Sequence, residues 1–135
     1  MTNDAHARPS GESPEPLYDV NVRTPTHAER ARTLVSQLTT GTLCTLAADP
    51  QGYPYGSFVT AAFDEGSPVF LVSSMAEHTR NLHYDSRASL LMAESGREDP
   101  LANGRVTLLG LCSKVQGDVS TARAAFLGKH PNASY

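Results

Sequence analysis

Short apolar runs separated by turn-forming residues are the feature that most restricts the fold of this chain. The run from Thr42 to Ala48 is followed by Asp49-Pro50-Gln51-Gly52, and the run from Pro54 to Phe63 is followed by Asp64-Glu65-Gly66-Ser67. Pro and Gly in such positions are typical of tight turns, and apolar runs of this length are typical of strands. The middle of the sequence therefore predicts an antiparallel meander, with a third strand from Pro68 to Val72.

Helices are predicted on either side of this meander. Thr26 and Glu29 have the spacing of a capping box, which predicts a helix that ends at Gly41. The remaining elements are predicted, in order, as a helix at 75–84, a strand at 88–93, a strand at 104–115 and a helix at 120–129. Five strands with inserted helices predict a mainly β protein with α, folded as an antiparallel split β-barrel with peripheral helices.

Length and composition suit one domain preceded by a tail. The chain has 135 residues, and its first 24 are polar and rich in Pro, Ser and Glu. We therefore expect a disordered tail at 1–24 and a folded domain at 25–135. Since no apolar run approaches the roughly 20 residues of a membrane span, and no apolar segment marks a secretory signal, a cytoplasmic location without membrane contact is expected. The net charge of −3 and the absence of a basic stripe disfavour nucleic acid as a partner.

The thiol and imidazole side chains do not form a recognisable reactive site. Cys44 and Cys112 each lie in an apolar, strand-like run, which predicts two free buried thiols. His78 and His83 are five residues apart, so they do not share a helix face, and no metal site is predicted. No hydrolase triad order and no glycine-rich nucleotide motif is present, so the catalytic residues stay unknown.

An anion site is predicted where the third strand meets the second helix. Two hydroxyls, Ser73 and Ser74, follow the apolar run, and the helix that comes next carries Thr79 and Arg80. Ser74 has the spacing of an N-cap with Glu77 three residues on, and helix N-termini attract anions. The segment therefore predicts a phosphate site, with an ordinary capped helix as the alternative interpretation.

Several short segments follow one another in an order that is typical of one family. They are the Asp-Pro-Gln-Gly turn, the Tyr-Pro-Tyr-Gly-Ser strand, the Val-Phe-Leu-Val-Ser strand, the His-Thr-Arg-Asn-Leu helix and the Ser-Arg-Ala-Ser-Leu strand. Together they resemble the pyridoxamine 5′-phosphate oxidase-like FMN-binding split-barrel superfamily. Within it the chain is most similar to the haem-utilisation branch, in which His-x-Arg-Asn-Leu and Glu-Asp-Pro…Arg-Val-Thr-Leu-x-Gly elements recur.

This resemblance implies a homodimer that binds FMN and a small-molecule substrate at the subunit interface. The FMN phosphate would lie on the predicted anion site and the flavin ring along the second strand, with one arginine of the fifth strand reaching the flavin. The implied cofactor-binding residues are Gly56, Ser57, Phe58, Val59, Val72, Ser73, Ser74, Thr79, Arg80, Asn81 and Arg105.

The chain departs from the family pattern near its C-terminus. It ends where the haem-utilisation branch continues into a last barrel strand and a second domain, so we expect this domain to lack both. The first hypothesis is an FMN-dependent oxidoreductase that transfers a hydride or electrons, with the deazaflavin F420 as a variant cofactor. The second is a cofactor-free split barrel that binds another protein or acts as a regulatory module. The third is a haem-binding or haem-utilisation protein.

Overall fold

A computed structural model describes residues 19 and 21–133, so most of the predicted tail at 1–24 lies outside the described residues. The described part contains three α-helices, which are α1 (His27–Gln37), α2 (Glu77–Tyr84) and α3 (Ser120–Lys129). Its six strands are β1 (Thr40–Leu46), β2 (Pro54–Thr60), β3 (Ala62–Asp64), β4 (Ser67–Val69), β5 (Arg87–Ala93) and β6 (Arg105–Leu111).

The strands form two antiparallel units. Four of them make a sheet in the order β2-β1-β5-β6, and β3 pairs with β4 in a separate hairpin. All strand pairs are antiparallel, and the helices lie at the periphery of the sheets, so the predicted fold class is confirmed. Because β5 pairs with β1, the chain returns after the hairpin and α2 to the open edge of the first strand.

The first helix begins as predicted and ends earlier. Thr26 accepts a hydrogen bond from the Glu29 N–H at 3.2 Å, and the Glu29 carboxylate accepts one from the Thr26 N–H at 2.7 Å, so the capping box is confirmed. The helix ends at Gln37, and Gly41 lies within β1. The prediction that Gly41 stops the helix is therefore wrong. A Cβ there would lie 2.7 Å from the Leu91 carbonyl oxygen, so glycine allows two strands to approach closely.

The predicted strand at 54–63 divides between the two sheets. It breaks at Ala61, which is fully buried and donates its N–H to the Thr39 carbonyl at 2.9 Å. The residues that follow it, 62–64, pair with 67–69 instead of with β1. One continuous apolar run therefore supplies a strand to each sheet.

Two of the later strands are shorter than predicted, and the last helix has the predicted bounds. The third predicted strand, at 68–72, is shortened to Ser67–Val69, and the last one, at 104–115, ends at Leu111. The final helix spans 120–129 as predicted, and His130 is its C-cap.

The start of α2 contradicts the predicted capping box. The helix begins at Glu77, its N-cap is Ala76, and no side chain bonds to the cap position. Ser74 lies in the turn that precedes this cap, so its predicted pairing with Glu77 is wrong.

The core lies against one face of the four-stranded sheet, here called the inner face. Burial alternates along β1, so that Gly41, Leu43 and Thr45 are buried while the residues between them are half-buried. The buried apolar cluster consists of Leu43, Val59, Ala61, Leu90 and Met92. Side chains of α1 and α2 pack against this cluster, and α3 packs against the β3–β4 hairpin. The opposite face of the sheet carries no helix of the described chain.

Candidate functional site

The face of the four-stranded sheet that lies opposite the core, here called the outward face, is a candidate binding surface because it is apolar and exposed. Residues paired across the strands share a face, and the register places Phe58, Thr42, Leu91 and Thr107 in one row. Phe58 is 79% exposed and Leu91 40% exposed. A side chain as large as Phe58 rarely stays this exposed without a partner, so the face is typical of a binding surface.

The next row of the outward face is built from smaller side chains. Gly56, Cys44 and Ser89 are paired side by side, and Leu109 ends the row at 83% exposure. Because Gly56, Cys44 and Ser89 are smaller than Phe58 and Leu91, we infer a shallow trough across these three strands. A trough of this kind suits a flat, apolar ligand better than a rounded one.

Two arginines lie on the outward face with different surroundings. Arg87 is held in a two-pronged contact by Asp85, with Nε–Oδ1 and terminal N–Oδ2 distances of 3.0 and 2.6 Å. These hydrogen bonds lower the pKa of Asp85 to about 2. Arg105 instead donates to the Leu101 carbonyl at 3.0 Å, and within residues 21–133 it has no carboxylate partner. The Arg105 guanidinium is therefore the one better placed to receive a ligand carboxylate.

The predicted flavin-ring segment alternates between the two faces of the sheet. Gly56 and Phe58 point outward, while Ser57 and Val59 share the inner face with Leu43 and Gly41. Val59 is 7% exposed and belongs to the core cluster. Only half of this predicted set is therefore presented on the outward face.

The predicted phosphate site consists of a loop at residues 70–76, here called the serine loop, and of the first turn of α2. Val72, Ser73 and Ser74 are exposed in this loop. The Ser73 hydroxyl accepts a hydrogen bond from the Met75 N–H at 3.2 Å, and the Thr79 hydroxyl donates to the Ser73 carbonyl at 2.7 Å. The loop is thus closed by its own hydrogen bonds.

The cation of this segment has an acidic neighbour. Arg80 forms an ion pair with Glu77 at 3.1 Å, and its side chain is 60% exposed. Because Glu77 lies in the first turn of α2, its carboxylate competes with any anion for the guanidinium and for the helix N-terminus.

Asn81, the remaining predicted residue on α2, is buried. Its amide oxygen accepts a hydrogen bond from the Ala48 N–H at 3.0 Å, and its amide nitrogen donates to the Thr45 hydroxyl at 3.1 Å. Asn81 is 0% exposed, so its side chain joins α2 to the end of β1. The structure thus places Gly56, Phe58 and Arg105 on the outward face and the residues from Val72 to Arg80 at the serine loop and the start of α2. Ser57, Val59 and Asn81 lie on the inner side, in neither region.

The thiols and histidines of the described residues do not form a metal site. Cys44 and Cys112 are free, and burial raises the pKa of the Cys112 thiol, which disfavours the reactive thiolate. The Nε2 atom of His78 is buried without a hydrogen-bond partner among the described residues. Within that same part of the chain, no three His, Cys, Asp or Glu side chains are grouped to hold a metal ion.

Two surface hollows lie apart from the predicted residues. The larger has a volume of about 460 Å³ and is lined by Leu38, Glu94, Ser95, Gly96, Arg97 and Asn103. The other is lined by Thr60, Leu71, Lys129, His130, Pro131, Asn132 and Ala133. The described helices include none that is long and apolar enough to cross a membrane.

The sequence prediction included Arg105 of β6 but missed the apolar side chains that β5 and β6 contribute to the outward face. Leu91, Leu109 and Leu111 are exposed on the outward face, with Leu111 at 77%. The sequence does contain a signal for apolar residues on both faces, namely the adjacent apolar pairs Leu90-Leu91 and Leu108-Leu109. Neighbouring residues in a strand point to opposite faces, so one leucine of each pair points outward.

Comparison with known proteins places this architecture in a family. A family model described as "CREG, beta-barrel" matches residues 23–135. The chain is 38% identical over 107 residues to "Non-canonical heme oxygenase HOZ, chloroplastic" from Arabidopsis thaliana, covering 78% of this chain and 33% of that protein.

Solved structures share the fold of this chain. A heme binding protein from Mycobacterium smegmatis superposes with a TM-score of 0.76 at 43% identity, covering 84% of this chain and 49% of the other. The heme storage protein HutZ from Vibrio cholerae, at 22% identity and a TM-score of 0.62, shows the shared fold; the match covers 77% of this chain and 73% of the other. This chain thus spans a third to a half of the length of its first two relatives.

The relatives correct the order of the three functional hypotheses. The names of the plant and mycobacterial proteins refer to haem and give no support to FMN as the main cofactor. The resemblance to the split-barrel superfamily holds at the level of the fold, and within it the haem-utilisation branch fits. With a family model covering most of its length and a barrel-type antiparallel sheet, the chain belongs to the CREG beta-barrel family.

Proposed function

We propose that this chain is a haem-binding domain that holds the porphyrin on its outward face. The observation that carries the proposal is the exposed apolar surface formed by Phe58, Leu91 and Leu109 beside the trough of small residues. Burial of apolar area is the main favourable contribution to binding a flat aromatic ring. The relatives named for haem support the same ligand.

The dimensions of the outward face suit a flat ligand. Four strands spaced about 4.8 Å apart span about 14 Å, and strands of about seven residues are about 20 Å long. This gives a surface of a few hundred Å², the size of patches that mark binding sites on monomers. Arg105 at the edge of this area supplies a cation for a carboxylate of the ligand.

A second copy of the chain completes the site. A porphyrin laid on one sheet face leaves its other side in water, and a second outward face would bury it. Such a contact would be isologous, so each copy contributes Phe58 and Leu109 to the same interface. The expected homodimer is measured by sedimentation, and Leu109→Glu, which places a charge in the interface, should shift it to monomer. A dimer that is unchanged in Leu109→Glu would place the subunit contact elsewhere.

Haem, when bound, would supply the iron for chemistry with oxygen or electrons. The residues of this chain would bind and orient the ring: Phe58 and Leu91 by apolar contact and Arg105 by its charge. The serine loop and α2 lie on the inner side and act as structural support.

We expect Phe58→Ser to weaken haem binding by about tenfold or more. The change removes an aromatic side chain that is 79% exposed in the free chain and would be buried under the ring, and losing such a contact costs about 1.5–3 kcal/mol. The measurement is a haem titration followed by the Soret absorbance.

The control for this variant is Val22→Ser, which alters a 67% exposed apolar side chain before α1 and should leave haem affinity unchanged. A parallel titration with FMN tests the flavin hypothesis. Binding of FMN in preference to haem would contradict the proposal, and binding of neither would favour the cofactor-free module.

Arg105→Gln is expected to weaken haem binding by about tenfold. A charge-assisted hydrogen bond to a carboxylate is worth about 1.5–3 kcal/mol, and glutamine is a shorter, polar side chain without the charge. Arg123→Gln, an exposed change on α3, is the matched control and should have no effect on the affinity. Equal affinities for the two variants would remove Arg105 from the site. Haem affinity should also fall with added salt in the unmodified chain more steeply than in Arg105→Gln.

A further inference from the structure

The outward face fits a porphyrin ring but offers no nitrogen ligand to its iron. None of the described residues on this face is a histidine. By strand, the outward residues are Thr40, Thr42, Cys44, Leu46, Pro54, Gly56, Phe58, Thr60, Arg87, Ser89, Leu91, Ala93, Arg105, Thr107, Leu109 and Leu111. Apart from the Cys44 thiol, these side chains are apolar, hydroxylic or cationic, which suits the ring and its carboxylates.

The histidines of the described chain lie on other elements. His27 begins α1 and His83 lies exposed on α2, and both helices pack on the inner side. The Nε2 of His78 is buried, so it cannot reach a ligand on the outward face. His130 is 2.9 Å from the Ala61 carbonyl through its own Nε2.

Cys44 is the one soft donor among the described outward residues. A cysteine binds iron as the thiolate, and thiolates form where a free cation lies close by. In the register, Cys44 pairs with Gly56 and Ser89, and the cation two residues from Ser89, Arg87, is already held by Asp85. Among its described strand neighbours, Cys44 therefore has no cation that is free to pair with a ligand or a thiol.

A second copy does not change this donor set. An isologous contact brings the same outward face to the opposite side of the ring, because both copies use one patch. The ligand is then enclosed by two faces whose described residues include no histidine.

We propose that the outward face recognises planar porphyrin dicarboxylates through the ring and Arg105, without a bond to the iron. This inference rests on the proposed function and narrows it to a ligand class in which metal-free porphyrin is as good a ligand as haem. Affinity then comes from ring burial and carboxylate charge, both of which are the same in the two molecules.

The experiment compares haemin with metal-free protoporphyrin IX on the whole chain. Haemin binding is followed by the Soret absorbance and protoporphyrin binding by its fluorescence. The dissociation constants should agree within about threefold, since a bond to iron would separate them by far more than tenfold. Failure of both ligands to bind would remove the proposed function and this inference together. Haemin binding at least about thirtyfold tighter than protoporphyrin IX would overturn the inference alone and leave haem binding standing.

Variants on and off the face identify the shared site. Leu109→Glu should weaken both ligands by about tenfold or more, and Val22→Glu should weaken neither. A loss of haemin binding with protoporphyrin binding unchanged would show two different sites and overturn the inference.

A second set tests the ligands to iron directly. His83→Ala and His6→Ala, the latter at a position outside the described residues, should leave the haemin spectrum unchanged. Cys44→Ser, within the ring surface, should change the affinities for haemin and protoporphyrin IX by the same factor. A shift of the Soret band in any of them would identify an iron ligand from this chain and contradict the proposal.

Discussion

Gly41→Ala is expected to destabilise the protein by about 3 kcal/mol, the largest effect of a one-carbon change in this fold. The added Cβ would lie 2.7 Å from the Leu91 carbonyl oxygen and 3.0 Å from carbon atoms of Leu90 and Met92. Two of these neighbours are side chains of the buried core, and the closest is backbone in the adjacent strand. Relief therefore requires β1 and β5 to separate, which breaks the pairing at the centre of the sheet.

Urea unfolding measures this change through the midpoint of the transition. The matched control is Gly110→Ala in β6, where a Cβ would have no heavy atom within 4 Å. That variant should be unchanged or slightly more stable, because alanine restricts the unfolded chain more than glycine does. Equal midpoints for Gly41→Ala and the unmodified chain would mean that β1 and β5 do not approach as closely as described.

Gly41 also shows where prediction from sequence fails. A glycine after a helical stripe is a common helix stop, and glycine is equally the residue that lets two strands come together. Because both roles use the same residue type, the sequence alone does not distinguish them. The neighbour that decides between them, Leu91, is fifty residues away, so only the tertiary structure could reveal it.

The strands were predictable because their signal is local. Apolar runs and turn residues predicted β1, β2 and the turns that follow them, and the Thr26 capping box predicted the start of α1. The order β2-β1-β5-β6 depends instead on which edges meet, and no short segment encodes this.

The candidate site was only half predictable for the same reason. The family resemblance implied Gly56 and Phe58 on β2, and the structure places both on the outward face, whereas Leu109 was not predicted because its outward position follows from the register with β5. The cofactor prediction depended on resemblance to a family in which one barrel holds different ligands, and a shared fold does not fix the ligand. The names of two relatives refer to haem and so support the third hypothesis over the first.

Asn81→Leu is expected to destabilise the protein by about 2–3 kcal/mol. Leucine has nearly the same size, so the change keeps the packing and removes both hydrogen bonds of the amide. The Ala48 N–H is then part-buried without a partner, and Thr45 keeps only a long, 3.5 Å contact with the Tyr55 carbonyl. An unsatisfied buried polar group costs about 1–3 kcal/mol, and two groups are affected here.

Urea unfolding and hydrogen exchange measure this prediction at two levels. The free energy of unfolding should fall by the stated amount, and the Ala48 amide should lose much of its protection from exchange. Asn132→Leu, the same change at an exposed position after α3, should stay within about 0.5 kcal/mol of the unmodified chain. An Ala48 amide that remains fully protected in Asn81→Leu would show that its hydrogen bond does not depend on Asn81.

The same variant separates structural support from ligand binding. Asn81 donates a hydrogen bond to Thr45, whose side chain lies on the inner face. The proposed porphyrin contacts, Phe58 and Leu109, lie on the outward face. Haem affinity measured well below the unfolding transition should therefore change by less than about threefold. A loss of haem binding as large as that of Phe58→Ser would instead place α2 and the serine loop in the ligand site, where the phosphate prediction had put them.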